Sequence, residues 1–164
     1  MTQTKDLINW LNDAYSMELS LEETLQRHLK DFEPNSALHD RIEQHIFETR
    51  QHANEVRACI ESLGGKVSRT KAIFGDIMGR MQGVSTAMFD DEKVKNVLME
   101  YSAEHFEMAC YESLAAGAED LGEHGIAAKC RHILAQEKAM ADWLFSEISG
   151  VTRQFLHSKH AAHA

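Results

Sequence analysis

Several glutamates stand where the helical pattern of the chain calls for apolar side chains. On a helical wheel, Glu18, Glu104 and Glu137 fall within the apolar stripes of three segments. Glu48 lies at the edge of a fourth stripe, and Glu107 lies one turn after Glu104 on the flank of its stripe. A buried carboxylate is costly unless a cation pairs with it, and these stripes hold almost no lysine or arginine. The pattern therefore predicts that two divalent metal ions bind among these acids.

Two histidines flank Glu48 on the same predicted helix. His52 is the predicted imidazole ligand, and His45, one turn before Glu48, is the alternative. Either residue can instead be a core histidine that hydrogen-bonds a carboxylate. Oxygen ligands combined with imidazole are typical of iron and manganese rather than of thiolate-bound metals. The sequence thus predicts two transition-metal ions, with iron favoured over manganese.

A dinuclear iron or manganese centre can react with O2 or peroxide, because its ions polarise oxygen species and change oxidation state. In the predicted arrangement, Glu48 and Glu104 bridge the ions. Glu18 and Glu137 bind one ion each, and His52 and Glu107 complete the coordination shells of the two ions. The predicted function is redox chemistry with O2 or peroxide, or iron handling. The alternative is a non-catalytic scaffold dimer with a structural or vestigial metal site, so the hypotheses leave open whether the chain is an enzyme.

Four long segments with helical periodicity position these residues. The predicted helices share a regular spacing of apolar residues and cover approximately 4–32, 35–63, 90–122 and 126–156. Pro34 separates the first two helices, with Asn35 or Ser36 as the cap of the second, and Gly64 begins its C-terminal stop. The tail, 157–164, is predicted to be disordered.

The segment between the second and third helices, 65–92, differs in character from the rest. Its apolar residues suggest a short helix that Gly75, Gly79 and Gly83 weaken. Tight turns make helices 1 and 2 antiparallel, and likewise helices 3 and 4, whereas this segment can cross the length of a bundle. The predicted fold class is therefore an all-α, ferritin-like four-helix bundle with one long crossover containing a short extra helix. The hairpins place the glutamates at equal depth, near the middle of the bundle.

Composition limits the location and the partners of the chain. Its 164 residues suffice for one domain, 1–164, and its net charge of −9 disfavours nucleic acid or an anionic membrane. No apolar run is long enough to cross a bilayer. Three cysteines without a metal-binding spacing, and the lack of a signal peptide, predict a reducing cytoplasm. Met78, Met81 and Met88 are expected to cover the open side of the bundle or to mark a partner surface, and a homodimer is predicted.

Several segments of the chain resemble a known family. Residues 13–18 (DAYSME) are similar to the first-helix pattern of the bacterial YciE/YciF stress-protein family, and residues 103–114 (AEHFEMACYESL) resemble its third-helix signature. Shorter likenesses lie at 45–49 and 135–139, so the match spans most of 5–150. The resemblance implies a ferritin-like, cytoplasmic, stress-induced protein without a settled activity.

The chain departs from the ligand pattern of the wider ferritin-like superfamily. That pattern is a glutamate on each of two helices and a Glu-x-x-His pair on each of the other two. The pair Glu104-x-x-Glu107 is similar to the third-helix pair of rubrerythrin-like proteins, but Gln51 and Met140 stand at two positions where histidine is expected. The resemblance therefore implies that one ion position is under-coordinated, weakly filled, or completed by Glu107 and water.

The tyrosines and the histidines of helices 3 and 4 are not predicted to bind the metal ions. Tyr15, Tyr101 and Tyr111 are predicted to be amphipathic core aromatics, with hydrogen bonding to the metal ligands as the alternative. A hemerythrin-like O2 carrier needs several histidines on three or four helices. It is disfavoured because His105 and His132 lie off the inner stripes of helices 3 and 4.

Overall fold

The computed structural model describes residues 2–68 and 90–161, and these residues form four long α-helices. The helices are α1 (Thr2–His28), α2 (Ala37–Ser62), α3 (Glu92–Asp120) and α4 (His124–Ala161). A 3-10 turn, Leu29–Asp31, extends α1 toward the buried Phe32. The predicted four-helix bundle is confirmed. The predicted crossover helix and the methionines 78, 81 and 88 lie outside the described residues.

The first hairpin turn is shaped by two polar residues. Asn35 adopts a left-handed backbone conformation with φ of 65°, which asparagine tolerates better than most residues. Ser36 is the N-cap of α2, because its hydroxyl accepts a hydrogen bond from the backbone N–H of His39 at 3.2 Å. Of the two predicted caps, the structure uses Ser36.

Side-chain pairs define the antiparallel packing of α1 against α3. The hydroxyl of Tyr111 donates to Glu18, and the ring of His28 pairs with Glu100. As the residue number rises along α1, that of its partner on α3 falls. The bundle also packs α1 along α2, α3 along α4, and α2 against α4. With α1 antiparallel to both α2 and α3, α2 and α3 run parallel, as the predicted crossover requires.

Two apolar clusters fill the bundle on either side of its middle. One cluster contains Leu11, Ile60 and Ile133, and the other contains Leu25, Ile42 and Leu144. Burying each such side chain contributes roughly 1.5–3 kcal/mol. The level between the clusters holds the buried glutamates and histidines, so the apolar packing shields these polar residues from water at both ends.

Helix α4 is longer than the sequence predicts. It continues as far as Ala161, so the predicted disordered tail, 157–164, is wrong for its helical part. Val151 is buried in the second apolar cluster, and Lys159 forms an ion pair with Asp90, just before α3. The Lys159 ammonium also lies 5.6 Å from the centroid of the Phe155 ring. These contacts give the last turns of α4 partners that the apolar spacing alone does not reveal.

Among the described residues, no helix is long and apolar enough to span a membrane.

Glycines at the second hairpin turn allow a matched test of the fold. Gly122 has φ of +77°, and the N–H groups of Gly122 and Glu123 return to the carbonyls of Glu119 and Ala118 to close the end of α3. Gly122→Ala is therefore expected to lower the free energy of unfolding by about 1–2 kcal/mol in urea titrations. Gly125→Ala is the control, because Gly125 lies in the first turn of α4 in open space and is expected to be neutral or slightly stabilising. Equal effects of the two substitutions would contradict the assigned turn.

Candidate metal centre

The middle of the bundle buries an unusual number of ionisable groups. Among the described residues, the buried side chains include five glutamates and three histidines but neither lysine nor arginine: Glu18, Glu100, Glu104, Glu107, Glu137, His28, His45 and His52. The cations that the wheel places away from the core are exposed: Arg50, Arg57, Arg131 and Lys138. The excess of acids over permanent cations in the core is therefore a property of the folded chain, as the sequence predicts.

One group of potential ligands joins α2, α3 and α4. His45 Nε2 lies 3.1 Å from Glu104 Oε1 and 3.6 Å from Glu137 Oε2. All three side chains are buried, and their ligand atoms lie within 4.8 Å of one another. This separation matches three donors that surround a single cation, because metal–oxygen and metal–nitrogen bonds of about 2.0–2.2 Å place neighbouring donors roughly 3 Å apart.

A second group joins α1, α2 and α4. His52 Nδ1 lies 2.7 Å from Glu137 Oε1 and 3.7 Å from Glu18 Oε2, and the three ligand atoms again lie within 4.8 Å of one another. Glu137 is a member of both groups, with one carboxylate oxygen facing each. The two groups thus share one carboxylate, that of Glu137, which would contact both ions if each group held one.

The ligand atoms of these groups face one another as close ion pairs, and several of them have no further partner. Five buried atoms have no hydrogen-bond partner in the described residues: Glu18 Oε2, His52 Nδ1, Glu104 Oε2 and both oxygens of Glu137. Buried polar atoms are nearly always satisfied, so five unsatisfied atoms at one level call for an explanation. Cations at the two points where these atoms converge would satisfy all five. The residues present therefore fit a pair of metal ions.

Outer partners orient each of the principal ligands. Tyr111 is buried in the first apolar cluster, as predicted for a core aromatic, and its hydroxyl also donates a hydrogen bond to Glu18 Oε1. His45 Nδ1 lies 3.0 Å from Glu48 Oε2, and His52 Nε2 lies 2.9 Å from the side-chain oxygen of Gln136. Hydrogen bonds of this kind set which imidazole nitrogen is available to a metal.

Glu48 and Glu107 occupy different positions from the three acids and two histidines of the two groups. Glu48 is at the rim of the layer, where Arg41 and Gln44 donate to its carboxylate at 3.0 and 2.8 Å, and it belongs to neither group. Glu107 is buried on α3 as deeply as Glu104, instead of on the flank where the wheel puts it, yet it also lies outside both groups. Both remain predicted ligands that the two groups do not include.

Both candidate histidines face the acids, so the choice between His45 and His52 does not arise. They lie two turns apart on α2 and supply one imidazole to each group. Met140, where the superfamily pattern has a histidine, is fully buried in an apolar cluster with Ile42 and Leu144. The imidazole that α4 lacks is therefore replaced by a second one from α2.

Sequence reasoning missed one buried pair and one outer partner. Glu100, one turn before Glu104, pairs with His28 across the α1–α3 interface, and both are buried. The spacing of Glu100, Glu104 and Glu107 at i, i+4 and i+7 is the signal that could have placed all three acids on one inner face. No comparable signal marks Gln136 as the partner of His52, because that contact depends on the packing of α2 against α4.

The protonation states of the cluster compensate for the missing counter-charge. Burial raises the pKa of Glu104 to about 8, although His45 opposes part of the shift. Burial and the carboxylates of Glu137 and Glu104 raise the pKa of Glu107 well above its ordinary value. Burial disfavours charge on His52, yet the carboxylates of Glu137 and Glu18 outweigh it and raise its pKa to about 10. In the metal-free chain the layer thus holds protons where cations would bind.

These shifts predict how the stability of the metal-free protein depends on pH. His52 in the folded chain keeps a proton that the unfolded chain releases above pH 6.5, so its stabilising contribution is present below pH 6.5 and is lost as the pH rises through about 10. Glu104 acts in the same direction between its ordinary pKa of 4.5 and about 8. The free energy of unfolding of chelator-treated protein is therefore expected to fall as the pH rises over this range. His52→Gln should flatten the profile above pH 6.5, whereas His39→Gln, at a site outside the layer, should leave it unchanged. A profile that rises with pH would contradict the proposed protonation states.

Comparisons with known proteins identify the family of the chain and structures of similar fold. The family model described as a domain of unknown function, DUF892, matches residues 2–157. A protein of Xanthomonas campestris pv. campestris is 32% identical, with a TM-score of 0.83 over 98% of this chain and 99% of that one. The E. coli stress protein YciF is 24% identical, with a TM-score of 0.79 over 93% of this chain and 99% of its own.

A more distant structure extends the likeness. A ferritin-like, diiron-carboxylate protein of Bacillus anthracis is 19% identical, with a TM-score of 0.70 over 90% of this chain and 99% of that one. At this identity the likeness shows the fold alone, and that fold agrees with the four-helix bundle of the described residues. The family match covers nearly the whole chain. The chain therefore belongs to the DUF892 family.

Proposed function

We propose that the chain binds two iron or manganese ions and uses them for redox chemistry with O2 or peroxide. The observation that carries this proposal is the membership of Glu137 in two separate groups of three buried ligand atoms. A carboxylate shared between two such groups is the arrangement that bridges two cations in dinuclear sites. The proposal assigns the bridge to Glu137, whereas the sequence alone favours Glu48 and Glu104.

Each ion position would have one imidazole and one carboxylate of its own. His45 and Glu104 would hold one ion, and His52 and Glu18 the other. When bound, the ions would supply Lewis acidity and changes of oxidation state toward O2 or peroxide. The protein's part is to hold the donors in place, to exclude bulk water with the apolar clusters on either side, and to keep a proton on the Tyr111 oxygen beside Glu18. Burial and the Glu18 carboxylate raise the pKa of Tyr111 well above its ordinary value, so this proton is retained at neutral pH.

The choice of metal follows from the donor set. The two groups offer carboxylate oxygen and imidazole nitrogen without thiolate, which favours iron and manganese. The cysteines support this choice, because burial raises the pKa of Cys110 to about 11 and that of Cys130 to about 12, which keeps their thiols protonated. We infer iron before manganese, in line with the diiron-carboxylate protein of the same fold.

The cellular setting is inferred from the relatives. A role in the stress response, in the cytoplasm, is consistent with the likeness to the E. coli stress protein YciF. A homodimer is the proposed assembly, and the exposed side chains of Trp10, Phe47 and Phe145 on the outside of the bundle support the burial of further apolar surface.

Metal stoichiometry tests the shared role of Glu137. Protein loaded anaerobically with Fe(II) is expected to bind two ions per chain at micromolar metal. Glu18→Gln should remove about one ion, whereas Glu137→Gln should remove both, because only the latter side chain belongs to both groups. Bound iron is measured by equilibrium dialysis, with the exposed Glu112→Gln as the control and circular dichroism to verify folding. Native protein that binds less than one ion per chain would overturn the proposal.

Peroxide consumption separates the redox function from the scaffold alternative. The metal-loaded protein is expected to consume peroxide well above the rate of the same concentration of free metal ion, and Glu137→Gln should return the rate to that of the free ion. The rate is measured by the loss of peroxide absorbance under matched metal concentrations. If the native protein binds two ions and still shows only the free-ion rate, the scaffold hypothesis with a structural metal site is favoured instead.

A further inference from the structure

The two central histidines present opposite ring nitrogens to the acids. His45 turns Nε2 toward Glu104 and Glu137 and Nδ1 toward Glu48, whereas His52 turns Nδ1 toward Glu137 and Nε2 toward Gln136. A carboxylate and an amide oxygen can only accept a hydrogen bond. The outer nitrogen of each ring therefore carries the N–H, and the inner nitrogen offers its lone pair when a metal is bound.

The outer partners of the two rings differ in charge. Glu48 is a carboxylate at the rim of the layer, where Arg41 donates a hydrogen bond to Oε2 at 3.0 Å and His45 Nδ1 lies 3.0 Å from the same oxygen. Arg41 and Gln44 fix its position, and Arg41 offsets part of its charge. The partner of His52 is the neutral amide of Gln136. A carboxylate withdraws proton density from the ring N–H more strongly than an amide does, and this makes the opposite nitrogen a better donor to a metal.

Glu18 and Glu104, which each belong to one group only, also differ in their surroundings, and this difference favours the position of Glu104. The hydroxyl of Tyr111 donates a hydrogen bond to Glu18 Oε1, and this bond disperses part of the negative charge of Glu18. Glu104 Oε2 has no hydrogen-bond partner in the described residues, so no hydroxyl donor like Tyr111 competes with a cation for this oxygen. Glu137 contributes one oxygen to each position and does not distinguish them.

We propose that the two ion positions are unequal, and that the position formed by His45 and Glu104 binds its ion more tightly than the position formed by His52 and Glu18. Glu48 and Gln136 are the positioning residues that set this order through the histidines. The inference rests on the proposed dinuclear site. Its consequence is that the ion at His52 is the more readily exchanged of the two.

A reciprocal exchange of the two outer partners tests the order of binding. The probe is Co(II), titrated anaerobically and followed by its visible d–d absorption, with equilibrium dialysis for the number of ions bound. The native protein is expected to bind its first Co(II) at least about 10-fold more tightly than its second. Glu48→Gln should weaken the first step about 10-fold and change the absorption of the first ion. Gln136→Glu should tighten the second step by a similar factor and leave the first spectrum unchanged.

A surface substitution of the same chemistry serves as the control. Glu22→Gln makes the same change from carboxylate to amide beside Arg50, outside both groups, and should alter neither step. Thermal unfolding of each metal-free variant verifies that it is folded. The expected effect of Gln136→Glu is a gain in affinity, which a misfolded variant would not show.

The contrary results separate this inference from the function on which it rests. Two equal steps in the native protein, or a Glu48→Gln variant that behaves like Glu22→Gln, would overturn the inequality while leaving the dinuclear site intact. Failure of the native protein to bind Co(II) and Fe(II) at all would overturn the site itself, and the inequality with it.

Discussion

The requirement to neutralise buried carboxylates governs the middle of this bundle. Three acids of the two ligand groups and two further glutamates of α3 are buried, and the described part of the chain buries no lysine or arginine beside them. Without metal, neutrality is approached by protons, which explains why the pKa values of Glu104 and His52 are raised to about 8 and 10. Binding a cation therefore means displacing protons, so metal affinity is coupled to pH through the same residues that hold the ion.

The helices meet this requirement by their register. The pairs Tyr111–Glu18 and His28–Glu100 lock α1 against α3, and the short turns of the two hairpins set the levels of α2 and α4. Apolar clusters above and below hold the backbone rigid where the polar side chains meet. The favourable free energy of the apolar packing thus offsets the unfavourable burial of the polar side chains. The same packing holds unsatisfied oxygens, such as those of Glu137, in fixed positions.

Periodicity was sufficient to predict the bundle, its hairpins and the burial of Glu18, Glu104 and Glu137, because an acid inside an apolar stripe has one plausible orientation. It was insufficient where a side chain lies near the edge of a stripe. Glu107 is fully inside, although the wheel puts it on the flank, whereas Glu48 lies at the rim, where Arg41 donates a hydrogen bond to its carboxylate. Contacts between helices, such as His52 with Gln136, depend on packing angles that a single helix does not encode.

The replacement of the expected α4 histidine shows how one helix can compensate for another. Met140 removes an imidazole from the wall of the site and extends the apolar cluster instead. With His45 and His52 two turns apart on α2, each ring reaches a different oxygen of Glu137, and so a single helix supplies both nitrogen donors. The consequence is an asymmetric site, because the outer neighbours of the two rings come from different helices. Glu48 belongs to α2 itself and moves with His45, whereas Gln136 belongs to α4 and depends on the α2–α4 contact. Any motion that separates these two helices would loosen His52 before His45.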